Sequence, residues 1–126
     1  MPYEFVIQEN QDHIRVEVSG DWTPGKELED AIDVLTQVAD ICHKKGINCI
    51  LAIWDVPGHI RALIGYEIVD SANKCNWDRH FKLAVVYTHN ERFIDSLFVE
   101  TVAVNRGYRV KMFENKQEAK SWLLNC

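Results

Sequence analysis

Ile47-Asn48-Cys49-Ile50-Leu51-Ala52-Ile53-Trp54 is an apolar run interrupted only by one asparagine, with β-branched residues along it and no charge. A strand buried on one face alternates apolar and polar residues. A run that is apolar at almost every position belongs to a strand covered on both faces, as in a parallel sheet between layers of helix. Gly46 precedes the run and Asp55-Val56-Pro57-Gly58-His59 breaks it. Further along, Phe81-Lys82-Leu83-Ala84-Val85-Val86-Tyr87 repeats the pattern, and Tyr108 to Phe113 supplies a last strand.

The segments between these strands have the period of helices. Before the first run, Leu28, Ala31, Ile32, Leu35, Val38, Ala39 and Cys42 recur at helical spacing. Thr23-Pro24 reads as an N-cap followed by proline at the first helical position. Lys44 and Lys45 suit the negative end of the dipole, and Gly46 ends the helix. A weaker pattern, Ile60, Ile64, Ile68, Ala72 and Cys75, interrupted by Gly65, predicts a second helix. Asn90 is expected to cap a third, with Ile94, Leu97, Phe98 and Thr101 along one face up to Gly107. Asn115-Lys116-Gln117-Glu118 resembles a capping box, and Ala119, Trp122 and Leu123 form the stripe of a final helix.

At the N-terminus, Tyr3 to Ile7 and His13 to Val18 are two short strands joined by the polar turn Glu9-Asn10-Gln11-Asp12. The second alternates strictly, so it buries one face, and the short turn makes the first strand antiparallel to it. The order is β-β-α-β-α-β-α-β-α. This predicts an α/β fold: a single, mostly parallel five-stranded sheet with right-handed crossovers, forming one domain over residues 1–126.

Composition narrows the function. The 126 residues carry 19 acidic and 14 basic side chains, a net charge of −5. Phosphate contacts need a clustered basic surface, so nucleic acid is not an expected partner. No apolar run approaches the ~20 residues of a membrane-spanning helix, and Met1-Pro2-Tyr3-Glu4 lacks the basic and apolar regions of a signal peptide. The expected location is the cytoplasm. Cys42, Cys49, Cys75 and Cys126 form no CxxC pair and have no zinc-like spacing, so no metal or cofactor is expected. The first three read as buried apolar groups.

The ending Gly107-Tyr108-Arg109-Val110-Lys111-Met112-Phe113, then Glu118-Ala119 and Trp122-Leu123, resembles the "strand, Phe, EAxxWL" ending of the SpoIIAA-like family, related to the STAS domains of anti-sigma-factor antagonists. The family's element order and a strand ending in Asp, here near Asp55, are also similar. The resemblance implies four β/α turns and a regulatory or binding role toward protein partners or small ligands. Sec14-like lipid-carrying domains share the broad fold, which is analogy at fold level alone. Partner-switching members carry a phosphorylatable Ser or Thr after the third strand. Asp55-Val56-Pro57-Gly58-His59-Ile60 has no hydroxyl, so that switch is not expected here.

In open parallel sheets, ligands bind outside the carboxyl ends of the strands. Those ends carry Trp22, Trp54, Asp55, His59, His89 and Arg92, which form the candidate ligand-binding set. Asp55 would hold a ligand hydroxyl or act as a base, but Asp before a Pro-Gly turn is also ordinary capping chemistry. His59 and His89 lack HxH or HExxH spacing, and surface or capping roles account for them as well. His13, His43 and His80 read as incidental. Trp122 is expected in the core, as is Trp54, whereas Trp22 is expected to be exposed. No GxSxG elbow or phosphate-binding loop is present, and Ser71, Ser96 and Ser121 fall in expected helices.

No catalytic residue is therefore assigned, and a non-catalytic regulatory or binding protein is expected. The alternative is a carrier of a small molecule or lipid, with an apolar pocket between the sheet and the second and third helices. A hydrolase-type enzyme using Asp55 with His59 or His89 is a third reading. The third helix is apolar beyond one stripe, through Phe93, Val99, Val102, Ala103 and Val104. This predicts a homodimer whose interface includes Phe93 and Val104.

Overall fold

The computed structural model describes residues 3–20, 25–55, 62–88 and 93–124. Five strands, β1 (Tyr3–Glu9), β2 (Ile14–Gly20), β3 (Cys49–Asp55), β4 (Lys82–Tyr87) and β5 (Arg109–Phe113), form one sheet in the order β1-β2-β3-β4-β5. β1 is antiparallel to β2, joined by a turn in which Asn10 N–H donates to the His13 carbonyl at 3.0 Å. All other neighbours are parallel. The fold expected from the sequence is the fold observed.

Strand order has a direct consequence for the layers. The strands follow one another across the sheet without reversal, so right-handed crossovers place every connecting helix on the same face. That face carries α1 (Glu27–Lys45), α2 (Ala62–Asp70) and α3 (Phe93–Asn105). The last helix, α4 (Lys116–Leu124), packs on β3, β4 and β5 from the opposite face, and among the described residues it is the helix that covers that face. Two cores result. Ile14, Val16 and Val18 of β2 and Ile50 and Ala52 of β3 face the three helices. Leu51, Ile53, Ala84 and Val86 meet Ala119 and Leu123 of α4. This two-sided burial is what the apolar run in β3 demanded.

Local chemistry sets the ends. Gly46 terminates α1 at φ 67°, a left-handed conformation that only glycine adopts cheaply, and its N–H donates to the Cys42 carbonyl. α1 begins at Glu27 after Lys26, which gives no side-chain cap, and the expected Thr23-Pro24 start lies outside the described residues. Asn115 caps α4: its Oδ1 accepts from Gln117 N–H at 2.7 Å and Glu118 N–H at 3.1 Å. α4 spans 9 residues, too few to persist without tertiary packing, and the fully buried Leu123 anchors it. Truncating Leu123 to alanine would cost about 2–5 kcal/mol.

The structure corrects the sequence reading at several points. The second helix is two pieces, because the Ser71 N–H is shared between the carbonyls of Glu67 (3.0 Å) and Ile68 (3.2 Å). This tightening leads into a 3-10 turn over Ala72–Cys75. In α3 the inward residues are Val99, Val102 and Ala103, while Leu97, Phe98 and Thr101 are exposed. A helix apolar nearly all round gives no phase by period alone. The phase follows from the β4-to-β5 crossover, which presses small Ala103 toward the sheet.

Trp122 is only half-buried, because among the described residues no second helix shares its face. Lys82 lies 4.5 Å above its ring and Phe113 packs at 5.8 Å. Cys49 is likewise partly exposed, its thiol directed at the Leu123 carbonyl. His13 is not incidental. It is 5% exposed, and Nδ1 lies 2.7 Å from Asp12 Oδ1 while Nε2 faces the Asn10 amide nitrogen at 3.3 Å. One neutral tautomer satisfies both bonds, with Nδ1 donating and Nε2 accepting.

Candidate functional site

The rim at the carboxyl ends of the strands is described only in part. Trp22, His59, His89 and Arg92 lie outside the described residues. Trp54 and Asp55 close β3, side by side with Tyr87 and Thr88 at the end of β4. Asp55 is exposed, and its Oδ1 accepts from the Thr88 hydroxyl at 2.9 Å. That bond, with the Thr88 N–H donating to the Trp54 carbonyl at 3.3 Å, stitches the two strand ends together. Asp55 therefore has a structural partner on the neighbouring strand end, while the Pro-Gly turn it is expected to cap lies outside the described residues. Among the described residues no group of three or more His, Cys, Asp or Glu side chains is placed to hold a metal.

The topology also bears on where a ligand can sit. The crevice outside the strand ends arises at a switch point, where strand order reverses and helices diverge to opposite faces. A sheet ordered β1-β2-β3-β4-β5 has no reversal. Its three crossover helices crowd one face instead, and the space lies beneath them.

A cavity of about 150 Å³ occupies that space, between the sheet and α1, α2 and α3. Its position agrees with the expected pocket, with α1 as an additional wall. Small side chains keep it open: Ala31 on α1, Ala52 on β3 and Ala103 on α3 face the same volume. Four aromatic residues mark its extent. Trp77 and Tyr108 sit beside the N-terminal ends of β4 and β5, and Trp54 and Tyr87 at the C-terminal ends of β3 and β4. Every described lining residue is aliphatic, aromatic or methionine, and none is charged.

The walls are held from behind. Trp77 meets Phe81 edge-on at 5.1 Å, and Phe81 in turn packs against His43 of α1 at 5.1 Å. His43 Nε2 lies 2.9 Å from the carbonyl of Asn76, a residue at φ 63°, so the turn before Trp77 is fastened to α1. The Arg79 guanidinium stacks 4.7 Å from the Tyr108 ring, and its Nε donates to the Arg106 carbonyl at 3.1 Å.

α2 is the lid of the cavity. It packs on α1, α3 and the 3-10 turn rather than on the sheet, and Ile68 and Val69 face the space below. Arg106 at the end of α3 clips it down, donating through Nη1 to Asp70 and through Nη2 to the Tyr66 hydroxyl at 2.7 Å.

Cys42 is not a reactive centre. Burial pushes the Cys42 thiol up to about 12, with a smaller contribution from nearby Cys49. A thiol so raised is protonated, and so not nucleophilic, at neutral pH.

Of the residues expected to bind ligand, only Trp54 lines the cavity among those described. Sequence reading missed Tyr87, Trp77, Tyr108 and the three alanines. A signal for them existed: alanines stand at inward positions of one strand and two helices that pack together, where larger aliphatics would close a core. No protein-family model matches the sequence, and no curated protein matches it.

Proposed function

We propose that this chain is a non-catalytic binding domain of the SpoIIAA/STAS-like type whose ligand is a small apolar molecule held between the sheet and α1, α2 and α3. The observation that carries this reading is the apolar cavity of about 150 Å³ beneath the α2 lid. Interiors are normally packed without voids of this size, and an unfilled one forgoes roughly 3–4 kcal/mol of packing at ~24 cal/mol per Å³. A space so lined, with braced walls and a clipped lid, has the form of a ligand site. The resemblance of the Gly107–Leu123 stretch to the SpoIIAA-like ending supports a binding rather than a catalytic role. Free thiols at Cys42, Cys49 and Cys75 suit a reducing compartment, and we place the protein in the cytoplasm.

Native mass spectrometry of protein purified without detergent, paired with a turnover assay on the bound compound, tests the proposal. The expected result is a retained or readily loaded apolar ligand that is not converted. Multiple turnover lost in Asp55→Ala would overturn it in favour of an enzyme.

A second property has its own observation. Leu97, Phe98 and Val104 of α3 are 37%, 45% and 53% exposed. We propose that this surface is the homodimer interface expected at Val104; the Phe93 side chain lies outside the described residues. Light scattering at tens of micromolar should give a dimer for the wild type and a monomer for Phe98→Glu. A wild-type monomer would remove the idea. No helix among the described residues is long and apolar enough to cross a membrane.

A further inference from the structure

We infer that the ligand class is a compact, uncharged, largely apolar aromatic or branched molecule of about six to ten non-hydrogen atoms, and not an acyl-chain acid. The inference rests on the reading above that the cavity is a ligand site, and it specifies the chemistry of that site.

Size sets the first bound. An apolar cavity of about 150 Å³ lined by aliphatic and aromatic side chains holds a molecule on the scale of benzene. A long acyl chain does not fit such a volume without displacing the lid or a wall. Both are anchored here, by Arg106 with Asp70 and Tyr66 at the lid, and by Arg79 with Tyr108 at the floor.

Charge sets the second bound. The described lining holds no Lys, Arg, His, Asp or Glu, so an ion entering the cavity would lose its hydration with nothing in exchange. The polar side-chain atoms of the lining belong to Trp54, Trp77, Tyr87 and Tyr108 alone. A hydroxyl or ring N–H on the ligand is the most polarity such a lining can meet.

Shape preference follows from the same four rings. Aromatic groups at both ends of the cavity offer edge-to-face packing to a flat ligand, and the Met112 thioether between them is a polarizable neighbour for a ring. A flexible chain would lose more conformational freedom on entering than a rigid ring does.

The experiment titrates the full chain, with its valine methyls observed by NMR, against three probes: benzene, indole and octanoate. Benzene and indole should give saturable shifts at Val16, Val85 and Val110, all of which line the cavity, while octanoate leaves them unmoved. In Ala103→Leu, which fills the space, ring binding should weaken by roughly tenfold or more. Near-UV circular dichroism checks that this variant is folded, and Ala52→Val replaces it if it is not. Octanoate binding as tightly as indole would overturn the ligand class while leaving the cavity a ligand site. Absence of shifts with all three probes would overturn both.

Discussion

Asp12 and His13 illustrate how a single contact escapes a linear reading. Nothing in the turn Glu9-Asn10-Gln11-Asp12 announces that the next residue is buried, yet His13 is enclosed and bonded on both ring nitrogens. The His13 hydrogen bond holds the Asp12 carboxyl below its ordinary value of 3.8. A depressed acid stabilises the fold above that ordinary value, and the contribution is lost as pH falls through the lower folded one. Asp12→Asn keeps an acceptor but removes the titration. Its melting temperature should therefore decline less steeply than the wild type's below pH 3.8. Parallel declines in the two proteins would deny Asp12 that role. Cys42 makes the opposite point, since burial was legible from its place on the helical stripe. With its thiol raised to about 12, it should resist thiol reagents in the folded protein at neutral pH and react only on unfolding. Quantitative labelling of native protein, resolved by peptide mapping, checks this, and prompt modification of Cys42 would contradict it.

At the scale of elements, legibility tracked periodicity. β3, α1 and α4 each carry a clear pattern with identifiable ends, and the structure has them with Gly46 and Asn115 as the stop and start signals. α3 failed in phase because apolar residues surround it. The weak second pattern failed in extent, because a shared hydrogen bond at Ser71 converts its end into a 3-10 turn. The looseness of α2 was informative in another sense: a helix that packs on helices alone needs no continuous stripe toward the sheet. Its attachment depends heavily on Arg106, which touches both Asp70 and Tyr66 from α3. Arg106→Met should lower global stability by only about 0.5–1 kcal/mol, as for other exposed ion pairs. The same substitution should selectively speed amide hydrogen exchange in α2, because the lid opens without global unfolding. Exchange that rises uniformly over all helices would show that the clip is not local.

For the whole molecule, strand order is the decisive feature. A sheet wound in one direction puts three helices on one face and leaves the other to α4, so the two faces solve different packing problems. The α4 face closes with Leu123 and Ala119. The opposite face closes incompletely, because alanines stand where larger groups would fill the space. The sequence conveyed the layers and the parallel sheet. It conveyed the place of a pocket, between the sheet and the second and third helices, but not its lining, since that depends on which alanines confront each other across elements distant in the chain. Strand-end rims gather ligands in sheets that reverse direction, which this one does not, and most of the candidate rim residues lie outside the described residues.

The central claim is that this cavity is retained for a ligand, and thermal unfolding of the wild type and Ala103→Leu with and without benzene tests it most directly. Filling the space should stabilise the empty protein by roughly 0.5–2 kcal/mol, so the variant should melt a few degrees higher. Benzene at a hundredfold excess over its dissociation constant should stabilise the wild type by about 2.7 kcal/mol, and leave Ala103→Leu unchanged. A wild type indifferent to benzene, or a variant that responds as the wild type does, would contradict the account.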